Sequence, residues 1–106
     1  MSIKGRPHHS LEGIQTKFGS VGELEITGTA TRNARGLGLS LQDVVDAIQQ
    51  LRGSDFRKSE TAHNPVNHKI WHDTYITRYR DLRIYLKFAG ETLIDVTLTS
   101  FKEHEK

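Results

Sequence analysis

Leu82–Arg83–Ile84–Tyr85–Leu86–Lys87–Phe88 alternates without a break, apolar at every even number and Arg83, Tyr85 and Lys87 at the odd ones. Side chains alternate faces along a strand, so one face of this stretch packs a core and the other presents two cations and a phenol. A solvated outer face is the commoner meaning of such alternation in antiparallel sheets. A polyanion is the ligand class that face would suit. Working outward, Lys69–Thr77 is rich in β-branched and aromatic residues and reads as a strand, and Arg78–Asp81 as the turn between the two. Gly90–Glu91 reads as a tight hairpin, followed by a last strand over Thr92–Phe101. Asp55–Glu60 reads as a short strand, and residues 61–68 as a loop with an Asn64–Pro65 turn.

The N-terminal half has a different period. Pro7 suits a first helical turn, and Leu11, Ile14 and Phe18 follow at helical spacing, with Gly19 as the stop. Leu24 and Ile26 suggest a short strand, and Thr29–Arg35 a short polar helix ended by Gly36. Ser40 and Asp43 form an acidic capping-box pattern. Leu41, Val44, Val45, Ile48 and Leu51 then make a core stripe, with Gly53 ending that helix. Helices followed by a run of antiparallel strands predict an α+β fold, N-terminal helices packed on a mainly antiparallel sheet. The 106 residues suffice for one domain with a modest core, spanning 1–106.

Hydrophobic residues make up 35% and charged residues 26%, the balance of a folded chain rather than a disordered one. No cysteine is present, which removes disulfides, thiol catalysis and Cys-based zinc sites. No apolar run is long enough to span a membrane and no apolar signal core is seen, so a cytoplasmic protein with no membrane partner is expected. The net charge of +2 conceals an uneven distribution. Residues 52–87 carry eight basic and four acidic side chains, and 88–106 carry two basic and four acidic ones. Such a basic segment concentrates an anionic partner at one surface.

Chemistry must come from a short inventory. The histidines are His8, His9, His63, His68, His72 and His104, and none falls in a metalloprotease spacing, so no metal and no cofactor is expected. His63 and His68 in the predicted loop read as solvated. Gly36–Leu37–Gly38 lacks the further glycine and the preceding strand of a phosphate-binding loop. What remains is acid–base chemistry on a phosphodiester, which needs a group titrating near neutral pH and cations for the phosphate oxygens. His72 is best placed by its ordinary pKa, and Tyr85, Lys58 and Lys87 could supply the rest. RNA brings its own nucleophile, the 2′-hydroxyl.

Several short motifs occur together in order: Leu37–Gly38–Leu39, then Ser54–Asp55–Phe56 with Lys58–Ser59, then Ile70–Trp71 with Asp73 and Tyr75, then Tyr85–Leu86–Lys87, then Ser100–Phe101–Lys102–Glu103. Over roughly residues 36–103 this arrangement resembles the MqsR toxin family. The resemblance implies a RelE-like α+β fold and an mRNA interferase, the toxin of a type II toxin–antitoxin pair. It implies cutting of single-stranded mRNA without metal or ribosome, at GCU-type sites in familiar members. The partner implied is an MqsA-like antitoxin protein, which itself carries the zinc and the DNA reading, so DNA is met only indirectly. The family's catalytic positions fall on Lys58, His72, Tyr85 and Lys102, while Arg57, Arg83 and Lys87 of the basic segment read as RNA-binding residues. His72 departs from the pattern, since the familiar member has glutamine there, and the 61–68 loop looks longer. The implied reaction is in-line attack of the 2′-hydroxyl, giving a 2′,3′-cyclic phosphate and a 5′-hydroxyl, with His72 or Tyr85 exchanging the proton. A non-catalytic RNA-binding module, stacking bases on Trp71 or Tyr85, and a protein-interaction domain are the rival readings. Lys102 raises a geometric question. On a regular strand it would share the core face of Val96 and Leu98, so it must lie past the strand end or a bulge near Ser100 must re-aim it.

Overall fold

The computed structural model describes residues 3–63 and 66–105. Ser10, rather than Pro7, caps the first helix, α1 (Leu11–Lys17), its hydroxyl accepting from the Gly13 N–H. Thr27 caps α2 (Gly28–Gly36) in the same way through Ala30. The capping box at Ser40 and Asp43 forms as the residues predict and starts α3 (Leu41–Gln49). The chain leaves that helix at Gln50, before Gly53. Leu24 and Ile26 do not build a strand, although Ile26 makes one parallel bridge to Leu98.

One antiparallel sheet holds five strands in chain order: β1 (Ile3–Lys4), β2 (Phe56–His63), β3 (Val66–Tyr79), β4 (Leu82–Gly90) and β5 (Thr97–Glu103). The helices cover one face. Ile14, Phe18, Ala34, Val44 and Ile48 pack on Tyr75, Ile84, Leu86, Phe88, Leu98 and Phe101, all buried. The alternation of the deciding stretch holds: Ile84, Leu86 and Phe88 are fully buried, whereas Arg83 is exposed and Tyr85 and Lys87 are half-buried on the other face.

Three further features differ from the expectations. Residues 61–63 and 66–68 are strand, not loop, because backbone pairing of β2 with β3 extends beyond the segment's polar composition. The predicted Asn64–Pro65 turn lies outside the described residues. Glu91–Val96 is a loop, not a tight turn, and β5 begins only at Thr97. Asp95 organises that loop by accepting from the Glu91 and Thr92 N–H groups, which holds its carboxyl down at about 2. Third, β1 is an additional edge strand that carries little signal in two residues.

β1 and the segment after it are fastened through Asp73, which is fully buried. Its carboxylate accepts from the His8 N–H (3.1 Å), the His9 N–H (2.8 Å) and the Ser59 hydroxyl (2.5 Å). His8 stacks on Trp71 with ring centroids 5.1 Å apart, and the Lys4 ammonium lies 4.1 Å from the Trp71 ring centroid. His9 is buried against the Gly90 carbonyl, and that burial lowers its pKa.

Candidate active site

Directly paired residues of antiparallel strands share a face, so the register lists the contents of the helix-free side. One cross-strand row is Lys58–Thr74–Lys87–Ser100. The next is Ile76–Tyr85–Lys102. Arg78 and Arg83 pair beyond it, and Glu60, His72 and Ala89 form the row on the other side.

Two irregularities put the lysines there. On β2, Phe56 pairs with Tyr75 and Lys58 with the adjacent Thr74, so Arg57 is an extra residue. Phe56 therefore points to the core, where its ring meets Tyr75 edge-on, and Lys58 points out. On β5, Leu98 pairs with Phe88 and Ser100 with Lys87, so Thr99 is an extra residue. The parity flips there: Leu98 and Phe101 are both fully buried, and Lys102 emerges opposite Tyr85. The bulge needed to re-aim Lys102 is thus present, one residue before Ser100, with the strand continuing past Lys102. The Thr99 hydroxyl donates to the Lys87 carbonyl at 3.2 Å across the bulge.

Tyr85 is the centre of the resulting cluster. The Lys102 ammonium lies 5.1 Å and the Lys87 ammonium 5.7 Å from its ring centroid. Lys58 is half-exposed and bonds Glu60 at 3.4 Å, a contact that an arriving phosphate can exchange for its own oxygens. His72 lies in the row beyond Lys58, half-buried and opposite Glu60 and Ala89. It lies four positions along β3 from Ile76, the partner of Tyr85, a distance of about 13 Å along the strand. Arg57 is not gathered in, since its guanidinium bonds the Ser54 and Phe56 carbonyls of its own segment. Arg83 remains exposed beside the cluster.

Trp71 is not on this face. It pairs with Thr61 and Gly90, on the side of Asp73, under His8 and Lys4, so it cannot stack bases beside Tyr85. Conversely, His104 belongs to the cluster and was not among the expected site residues. Its ring stacks on Tyr85 with centroids 6.4 Å apart and planes 17° from parallel. It lies beyond the last strand as read from sequence, and only the flipped parity of β5 shows which face it joins. An open depression of about 410 Å³ is lined by Tyr85, Lys102, Glu103, His104 and Glu105. Among the described residues no group of three or more His, Cys, Asp or Glu side chains is placed to hold a metal ion, and no helix is long and apolar enough to cross a membrane.

The family model described as "Motility quorum-sensing regulator, toxin of MqsA" matches residues 6–103. The chain belongs to the MqsR toxin family. A curated relative, the mRNA interferase toxin MqsR of Escherichia coli (strain K12), is 36% identical over 100 residues, covering 94% of this chain and 97% of the relative. The match takes in both lysine-bearing strands, β2 and β5, and the bulge on each, as well as His8, His9 and Asp73 of the N-terminal clamp.

Proposed function

We propose that the chain is an mRNA-cleaving toxin held in check by a partner antitoxin, and that RNA is cut on the helix-free face around Tyr85. The observation that carries this reading is the bulge at Thr99, which turns Lys102 out of the core and sets it opposite Tyr85. Lys58 and Lys102 hold the phosphate oxygens and offset the charge that develops there in the transition state. Tyr85 exchanges a proton with the reacting group. His72, about 13 Å along β3 from Tyr85, hydrogen-bonds the RNA backbone on the far side of the Lys58 row. Arg83 and Lys87 extend the cationic track on either side, and Arg57 joins it by releasing its carbonyls when RNA arrives. The 2′-hydroxyl is the nucleophile, so no protein nucleophile and no metal-bound hydroxide is required, and the lysines take the place of a metal on the phosphate oxygens. The products are a 2′,3′-cyclic phosphate and a 5′-hydroxyl.

Single-stranded mRNA places the protein in the cytoplasm. An MqsA-like antitoxin would cover the active face or add to a sheet edge, and DNA would be met only through that partner. The test is purified protein and a long mRNA in excess EDTA without ribosomes. Fragmentation supports the reading. Intact RNA that is cut once a divalent ion is added would overturn it. In cells, co-expression of the adjacent gene product should relieve growth arrest and give a stable complex.

A further inference from the structure

In-line cleavage of RNA needs a base near the 2′-oxygen and an acid near the 5′-oxygen of the same phosphodiester. In an in-line geometry those oxygens lie roughly 5 Å apart, one at attack distance from phosphorus and one bonded to it. With a hydrogen bond at each end, the two catalytic groups fall within roughly 5–10 Å of each other. The backbone positions of Tyr85 and His72, about 13 Å apart along the strand direction and one strand across, do not by themselves meet that condition. Tyr85 and His104 do, with ring centroids 6.4 Å apart.

The placement of His104 is built into the sheet. Its N–H donates to the Arg83 carbonyl at 2.8 Å, which continues the β4–β5 ladder one residue past the named strand. After the Thr99 bulge, even-numbered residues of this strand face outward, so His104 follows Lys102 onto the Tyr85 face. Both rings line the same depression, which is open to solvent and to a polymer. The charged and titratable neighbours are Arg83 and Tyr85 on β4, Arg78 across from Arg83 on β3, and Lys102, Glu103 and Glu105 on its own segment.

We infer that His104 is the base of the cleavage reaction, taking the 2′-hydroxyl proton while Tyr85 gives a proton to the departing 5′-oxygen. This rests on the proposed ribonuclease function and names a residue for it. The O2′–P bond forms as the P–O5′ bond breaks. His104 leaves the step as imidazolium and Tyr85 as phenolate, and the proton passes back through solvent. Lys87 and Lys102 beside the Tyr85 ring stabilise the negative charge it acquires.

The experiment compares the intact chain with His104→Gln, His104→Phe and Tyr85→Phe in EDTA, on ordinary RNA and on RNA whose scissile 5′-oxygen is replaced by sulfur. A thiolate leaves without protonation. The wild-type rate on ordinary RNA should rise with pH across the imidazole range. His104→Gln should lose about 10²-fold or more in kcat and lose that limb. Its deficit should persist on the sulfur substrate, whereas that of Tyr85→Phe should largely vanish. His104→Phe keeps a ring against Tyr85, so recovery of activity there would reduce His104 to a stacking role and overturn the inference. So would a His104→Gln protein with wild-type rate and pH profile. A wild-type protein that leaves both RNAs intact refutes the ribonuclease function itself, and the inference falls with it.

Discussion

Asp73→Ala removes the acceptor that ties the N-terminal segment to the sheet. The side chain is fully buried and receives two backbone N–H groups and the Ser59 hydroxyl at 2.5–3.1 Å. A hydrogen bond to a charged group contributes about 1.5–3 kcal/mol net, and a buried donor left without a partner costs about 1–3 kcal/mol. Three full losses would exceed what the protein pays in practice, because the segment bearing His8 can peel away and let its N–H groups reach water. Ser59 remains buried and retains its penalty. The expected destabilisation is therefore about 3–5 kcal/mol, the range for breaking a buried charged network. For a chain of this size that lowers the thermal midpoint by roughly 15–25 °C. Urea unfolding followed by circular dichroism measures it, and amide exchange should show early opening at His8 and His9. Because Asp73 points away from the Tyr85 face, the folded fraction should cut RNA at the wild-type rate. A loss below about 1 kcal/mol would refute the view that Asp73 holds the segment in place.

Lys58→Ala and Lys102→Ala each remove a cation from the proposed phosphate site and should lower cleavage by about 10²–10³-fold with little change in the urea midpoint. Full activity in both would place the phosphate elsewhere. Burial lowers the His9 pKa in the folded chain, so between the lowered folded value and the ordinary one the unfolded chain binds the extra proton. Stability from this source is complete above about pH 6.5 and is lost as pH falls from there toward the lowered folded value. His9→Gln should flatten that slope in urea titrations from pH 8 to 5, and an unchanged slope would contradict the assignment. Gly90→Ala would put a methyl 2.7 Å from the Val96 Cα and 2.9 Å from its nitrogen, both backbone atoms. It should cost about 1–3 kcal/mol, and unaltered stability would show that the 91–96 loop yields freely.

Much of this architecture was legible where periodicity is strong. The Leu82–Phe88 alternation identified which face the helices cover, and Ser40 with Asp43 marked the start of α3 within a residue. The lysines were harder. Lys58 and Lys102 face outward only because Arg57 and Thr99 are extra residues in their strands, and a bulge of that kind leaves no mark in composition. The need for one near Ser100 could be deduced from the parity of Leu98 and Lys102, but its position could not. The composition around Asn64–Pro65 favours a loop, yet residues 61–63 and 66–68 pair as strand, and that pairing overrides the preference there. His8 and His9 lie more than 60 residues from Asp73 in the chain, so their clamp is a tertiary fact with no local signal. For the same reason Trp71, an attractive base-stacking candidate in isolation, is committed to the opposite side of the sheet.

If RNA is cut by its own 2′-hydroxyl, a single modified substrate shows it. Once the cleaved position in a short RNA is mapped in EDTA, the nucleotide 5′ of the cut is replaced by its 2′-deoxy counterpart, and the rate at that bond is measured. The account predicts that this bond is no longer cut, while the unmodified RNA yields a 2′,3′-cyclic phosphate end. Cleavage of the deoxy-substituted bond at an undiminished rate would mean that water or a protein group attacks the phosphate, and the mechanism built on Tyr85, Lys58 and Lys102 would be wrong.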